Sequence, residues 1–388
     1  MAARDQDGRA AGERAGESLT RVLGKSLMDF VNDMDEVDPV NSVRPAPRPR
    51  RPLVRAAIVG LAMLPMLGCE PAARPALSPA SSASTPAPPV GGDLAAAARQ
   101  IVLDGLADAD PQIRANAVEV VAATRDLLLM PRVQKLLADQ VVPVKFAAAV
   151  AVGDLAYAPA RDEVGPLLND PNPNIQVAAF YAISRLGQPE LHKEICKAVA
   201  SSDQTVRANA ALLLGKSGSK DGIRFLYWTL QRDDSSDMVV LQAAEAVALL
   251  GDQRIYPKLW TRLISAYADD RVIGIRAMGA LGTDEARSAI ITLLDDPVPE
   301  VRLAAAEQLG KLGESGGVAE VLAVFEKNLM ADMDPQGRQR TKTLAALAIG
   351  EIGDERPARY LPQLLQDPSK IVRLAAAKAV LRRALKKP

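Results

Sequence analysis

The sequence predicts an all-α solenoid, a superhelix of about nine stacked helix pairs that fills residues 93–388. Three observations lead there: a 31-residue repeat, a glycine that returns at one place in it, and a scarcity of aromatic side chains. Aromatics are 3% of 388 residues while Ala, Leu and Val dominate, a bias that suits helices touching through small side chains more than a mixed enzyme core.

The repeat is found by arithmetic. A β-branched residue opening an Ala-rich run stands at Ile113, Val144, Ile175 and Val206, each 31 residues after the last. It continues at Val239, Val301 and Val372, and units centred near Asp270 and Thr341 fill the wider gaps. Twelve residues after this apolar position comes Gly187, Gly218, Gly251, Gly282, Gly313 or Gly353. Glycine accepts the left-handed conformation that closes a helix, so each marks the end of the second helix of a pair. Around Val301 the residues Val301, Ala305, Leu309 and Leu312 form one helical stripe, and Val318, Val321, Leu322, Phe325 and Leu329 form the next. Neither stripe can be buried by its own helix, so neighbouring pairs must stack.

A polar signature sits at the turn inside each pair. A base directly follows the apolar position as Arg114, Lys145, Arg207, Arg271, Arg302, Lys342 or Arg373. Six residues before that base position stands Asp108, Asp139, Asp170, Asp234, Asp296 or Asp367. This pattern resembles the HEAT repeat, in the short form found in phycobilisome-lyase-like and many bacterial repeat proteins, over residues 93–388. The resemblance implies a structural ladder along the stack. In it each Asp accepts from backbone N–H groups at a helix start and the base of a neighbouring unit neutralises it. Gln176, Val240, Ser201 and Ser265 interrupt the pattern.

Ahead of the repeat the residues predict an address. Arg48, Arg50, Arg51 and Arg55 precede an apolar run from Ala56 to Leu67 that is too short for a bilayer core of ~30 Å and suits a signal peptide. Met66-Leu67-Gly68-Cys69 resembles a bacterial lipobox, which implies lipidation of Cys69 and removal of residues 1–68. Residues 70–92, rich in Pro, Ala and Ser, read as a tether. The expected layout is an N-terminal extension and lipoprotein-type signal at 1–69, a tether at 70–92 and the solenoid at 93–388. Such a protein is held to a membrane on the extracytoplasmic side of a bacterial cell. Translation starting at Met28 or Met34 would shorten the extension, although Leu19, Val22, Leu23, Leu27, Phe30, Val31 and Met34 share one helical face.

Chemistry is sparse. Formal charge is zero over the chain, so nothing invites nucleic acid. His192 is the single histidine, and the His-Glu pairs by which the HEAT-like deoxyhypusine hydroxylases hold iron do not occur. Gly313-Glu314-Ser315-Gly316-Gly317 fits a nucleophile-elbow pattern, but a helix rather than a strand precedes it. Cys196 shares the stripe of Leu191, Ile195 and Val199 and reads as core. Asp332 and Asp334 begin like a calcium loop whose closing Glu is replaced by Thr343. No catalytic residue, metal or cofactor is expected. Phe225, Tyr227, Trp228, Tyr256, Trp260 and Tyr267 gather much of the aromatic content in two adjacent units, and Tyr227, Trp228, Tyr256 and Trp260 are the candidates for a partner-binding patch. From Lys370 the tail holds seven Lys or Arg and no acid, read as a charged, solubilising end. The expectation is a non-enzymatic protein-interaction scaffold with a lipid anchor. A HEAT-like accessory lyase or hydroxylase-related enzyme and a purely structural envelope component are the alternatives.

Overall fold

The computed structural model describes residues 94–386 except Asn328; Cys69 and the stretches 1–69 and 70–92 lie outside the described residues. The described residues form nine helix pairs: α1/α2 (Leu94–Leu106, Pro111–Thr124), α3/α4 (Met130–Lys135, Val142–Leu155), α5/α6 (Arg161–Val164, Pro173–Arg185), α7/α8 (His192–Ala198, Gln204–Ser217), α9/α10 (Ile223–Gln231, Asp237–Leu249), α11/α12 (Tyr256–Leu263, Ala268–Leu281), α13/α14 (Asp284–Thr292, Pro299–Lys311), α15/α16 (Val318–Glu326, Pro335–Glu351) and α17/α18 (Leu361–Leu364, Lys370–Lys386). Odd-numbered helices other than the 13-residue α1 lie outside and are short; even-numbered helices lie inside and pack against one another in sequence.

Local chemistry starts and stops the inner helices. Asp110, Asn172, Asp203, Ser236 and Asp334 cap five of them by accepting a backbone N–H of the first turn. Proline at the first turn of α2, α4, α6, α14 and α16 has no N–H to leave unpaired. The repeated apolar positions are all buried, Val144, Ile175, Val239, Val301 and Val372 completely. Each such side chain contributes roughly 1.5–3 kcal/mol of burial.

Gly187, Gly218, Gly251, Gly282 and Gly313 take the left-handed conformation at the ends of the inner helices. Gly353 does not, because α16 runs on and leaves through an extended Ile352. Conversely, Arg125 (φ 52°) and Ala156 (φ 48°) adopt it in the first two units, at the same register but without glycine. A left-handed L-residue costs roughly 1–2 kcal/mol, and part of that returns as unfolded-chain entropy when glycine replaces it. Ala156→Gly is therefore expected to stabilise by about 0.5–1 kcal/mol and raise Tm by a few degrees in thermal melting. An unchanged or lowered Tm would contradict the strain.

Inner helices approach closely through another register, nine residues after the apolar position, held by Ala122, Gly153, Ser184, Gly215, Ala248, Gly279, Gly310 and Gly350. A Cβ added at Gly215 would stand 2.8 Å from the Cα of Ala246, and one at Gly350 2.8 Å from the Cα of Ala379. Only glycine leaves room there for backbone against backbone.

The solenoid closes on itself. The last inner helix, α18, packs against α16 on one side and against α1 and α2 on the other. Leu374 lies so near Gly105 that a single added carbon would come within 3.2 Å of it, and Lys370 Nζ stands 2.6 Å from Asp108 Oδ2. The expected solubilising tail is instead a seam. Arg382 and Lys386 pair with Glu351, and Arg383 donates to the carbonyls of Ile349 and Ile352. Nine inner helices spaced ~9 Å apart would ring a circle ~26 Å across, so the superhelix becomes a closed ring with a narrow lumen.

Candidate interaction surfaces

The ladder runs between units. Arg114 grips Asp139 side-on through Nε and Nη2 (2.9 and 3.0 Å), Lys145 reaches Asp170, Arg207 reaches Asp234, Arg271 holds Asp296 by two bonds, and Lys342 reaches Asp367. Each base thus serves the Asp of the following unit. The seam continues this order, since Lys370 of the last unit serves Asp108 of the first. Arg302 and Arg373 depart from it: Arg302 pairs with Glu320 at 2.6 Å, and Arg373 donates to the carbonyls of Asp367 and Pro368. Asp296 is held by Arg271 in the ordinary order, and Arg302 turns to Glu320 because the unit that follows it carries an insertion before α16 and has Gln336 where the Asp would stand.

Asp108, Asp139, Asp170, Asp296 and Asp367 do not cap helices directly. Each carboxylate accepts the N–H two residues on, making the turn that delivers the chain to the cap. Ser201 and Ser265 make the same turn with a hydroxyl. A second bond holds even where the sequence pattern is interrupted: the side chain at the base position donates to the carbonyl six residues back. Arg114, Gln176, Arg207, Arg271, Arg302 and Arg373 all do so. Burial alone would raise the Asp139 carboxyl, but the Arg114 guanidinium and the Val141 N–H outweigh it and hold the group below its usual range.

Charges that the sequence pattern did not single out converge in the lumen. Six residues after the apolar position stand Glu119, Val150, Tyr181, Leu212, Glu245, Arg276, Glu307, Leu347 and Lys378. Arg276 binds Glu245 at 3.2 Å, Lys311 binds Glu307 at 2.7 Å, and the Tyr181 hydroxyl donates to Asp154 at 2.7 Å. Glu119 is half-buried on this face. Burial pushes it up to about 8, against the pull of Lys378, Lys216 and Arg276 from three other units. A carboxyl raised in the fold adds stability that is fully present below its unfolded value near 4.5 and is lost as pH rises through about 8. Glu119→Gln keeps the shape without the charge. Its melting curve is expected to match the parent's at low pH and to lie higher above about pH 8; parallel curves across the range would sink this account.

The aromatic group divides once the helices are in place. Phe225 and Trp228 turn inward, 9% and 8% exposed, and Arg232 lies over the Trp228 ring at 4.6 Å. Trp228 is therefore core and presents no face to a partner, correcting its place among the candidates. Tyr227 is half-buried beneath Arg254. Tyr256 stacks on Trp260 with ring centroids 6.3 Å apart. Trp260, Ile264 and Tyr267 are 40%, 67% and 61% exposed. Helix α11 buries Leu259 and Leu263, and Tyr256, Trp260 and then Ile264 follow beside them at four-residue spacing, so its apolar arc is wider than the core covers, with Lys258, Thr261 and Arg262 on the opposite side. Trp260 lies 21 residues after Val239; Tyr227 and Ile291 occupy that place after Val206 and Asp270. An apolar stripe thus follows one register over α9, α11 and α13, and Ile291 is 47% exposed.

The remaining candidates have ordinary surroundings. Cys196 is a buried free thiol, pushed up to about 11 by burial, which leaves it protonated at neutral pH. Burial also lowers His192. Asp334 caps α16 by accepting the Gly337 N–H, and no cluster of three or more His, Cys, Asp or Glu that could hold a metal occurs among the described residues. No described helix is long and apolar enough to cross a membrane.

Residues 192–274 and 263–344 match the family model for HEAT repeats. No curated protein matches the chain. Among solved structures, the complex of CpcE and CpcF of phycocyanin lyase from Nostoc sp. PCC7120 is 17% identical, over 70% of this chain and 98% of that one, with a TM-score of 0.40. Human deoxyhypusine hydroxylase in complex with glycerol is 16% identical, over 68% of this chain and 98% of that one, at 0.34. Kap121p is 16% identical, over 72% of this chain and 36% of its own length, at 0.29. The helix pairs, their 31-residue period and the two matched stretches together make the described residues an α-solenoid of HEAT-like repeats.

Proposed function

We propose that the protein is a non-enzymatic scaffold that binds a protein partner on its outer rim and is tethered as a lipoprotein outside the cytoplasm. The observation that carries the binding half is the stripe of Tyr256, Trp260, Ile264 and Tyr267. Soluble proteins seldom leave large aromatic and aliphatic side chains together on one face, and such clusters anchor partners. Ring closure directs attention to that rim, because the concave side of the stack is narrow and charged at five of its nine register positions. The tether half rests on the apolar run, the lipobox-like tetrapeptide and Cys69.

Two experiments test the two halves separately. A photo-crosslinking residue at Ile264, in cells, captures a discrete partner, and Trp260→Ser with Tyr267→Ser abolishes the capture. Equal capture by the double variant removes the surface from the proposal. Intact-mass measurement of native protein finds Cys69 acylated and N-terminal; an unmodified Cys69 with residues 1–68 attached removes the anchor.

A further inference from the structure

The most exposed large apolar side chains lie far from the aromatic stripe. Leu127 and Leu128, 56% and 76% exposed, stand side by side in the loop between α2 and α3. This loop is held in shape. Asp126 accepts the Leu128 N–H and is gripped by Arg99 Nε at 2.7 Å, while Leu129 and Met130 directly after are buried. The two leucines are fixed in water, since turning them inward would break that turn and displace side chains already packed beneath.

Bases surround them. Arg125, Arg132 and Lys135 are exposed and pair with no carboxylate among the described residues. Two of the nearby acids are neutralised, Asp126 by Arg99 and Asp139 by Arg114, while Glu163 accepts from Gln134 and keeps its charge, which leaves the three bases in excess. Two protruding leucines ringed by unpaired cations match an anionic bilayer, whose headgroups attract the bases while the outer acyl layer takes the leucines. A protein groove would offer acids at fixed places instead.

The position agrees. The Arg99–Asp126 bond sets this loop beside α1, the first described helix, whose Leu94 is 41% exposed. Only 24 residues separate Cys69 from Leu94, and fully extended they span at most ~80 Å. The loop joins the first two of nine units and the aromatic stripe lies on the fifth to seventh, roughly half-way round the ring.

We propose that the Arg125–Lys135 edge of the ring is a membrane-contact surface for anionic phospholipid, which seats the anchored ring edge-on with its aromatic rim turned away. This rests on the lipoprotein reading for its setting but not for its test. In the full chain carrying Cys69→Ser, an environment-sensitive fluorophore is placed on Leu128→Cys or, for comparison, on Gln231→Cys at the exposed end of α9; the Cys69→Ser chain alone is the labelling blank. Vesicles of phosphatidylglycerol should shift the emission at position 128 to shorter wavelength and allow quenching by nitroxide-bearing lipid. Position 231 should stay unshifted, and Arg132→Glu with Lys135→Glu should abolish the shift at 128.

An unshifted label at 128 with phosphatidylglycerol overturns the proposal. So does an equal shift at 231, an equal response to neutral phosphatidylcholine, or a shift without vesicles that grows with protein concentration, which would mean a second copy of the chain. Native protein with unmodified Cys69 would defeat the lipoprotein reading and leave the vesicle result standing.

Discussion

Deletion of residues 368–388 is expected to break the ring and lower the melting temperature by on the order of 20 °C. Helix α18 buries Val372, Leu374, Val380 and Leu381, and Leu374 sits against Gly105 at the seam. At roughly 1.5–3 kcal/mol for each, these four alone contribute on the order of 8 kcal/mol, a large part of the stability of any domain. The deletion also strands Asp108 without Lys370 and Glu351 without Arg382 and Lys386. Two apolar faces would then be open, one on α16 and one on α1 and α2, each fitted to α18 and not to the other. Exposed apolar faces of this size associate between chains, so the truncated chain is expected to run as heterogeneous oligomers in size-exclusion chromatography with light scattering. Leu374→Glu, which puts a charge against Gly105 and leaves the chain complete, should give the same signature more weakly. A truncated chain that stays monomeric and melts with the parent would refute the closed ring.

The helix pairs were legible because each is specified locally. The 31-residue spacing, the buried position at Val144 or Val301 and the glycine twelve residues on are decided within one unit. Closure was not legible for the same reason. It depends on small rotations summed over nine units, and the residues that seal it, Asp108 and Lys370, are 262 positions apart. One signal was available. An open solenoid needs a polar face on its terminal helices, whereas α1 carries Ala98, Val102 and Leu106 and α18 carries Leu374, Ala375, Val380 and Leu381.

The ladder was legible in residue type and in running between units, but not in direction. The guanidinium that holds Asp296 belongs to Arg271, 25 residues earlier, and not to a base of the unit that follows. Stacking brings the base of one unit over the turn of the next, and only the stack fixes that direction. For the aromatic group the missing quantity was helix phase. Trp228 and Trp260 look alike in a list, but α9 turns the first inward beside Phe225, and α11 gives its inward face to Leu259 and Leu263 and sends the second out. Leu127 and Leu128 lie in a loop with no periodicity to judge them by.

Arg207→Ala is expected to be the most damaging single substitution in the ladder, at about 3 kcal/mol. Arg207 is the largest side chain buried without residual exposure. Its guanidinium makes two bonds to the Ser201 carbonyl (2.9 and 2.7 Å), two to Asp234 (3.1 and 3.2 Å) and one to Ser235 Oγ (3.2 Å). Removal leaves a cavity and strips the part-buried Ser201 carbonyl of both guanidinium bonds. Asp234 suffers least, since it is half-exposed and keeps Arg232. This asymmetry gives an internal comparison: Asp234→Ala should cost less than Arg207→Ala, because it leaves the bonds to Ser201 and Ser235 in place. Arg207→Lys keeps the charge but cannot reproduce the planar fork, so it should recover only part of the loss. Chemical denaturation of the three variants should give the order Arg207→Ala, Arg207→Lys, Asp234→Ala from most to least destabilised. Equal losses for Arg207→Ala and Asp234→Ala would place the energy in the ion pair alone and remove the carbonyl bond from the explanation of why the pattern tolerates Gln176 at the base position and Ser201 at the Asp position.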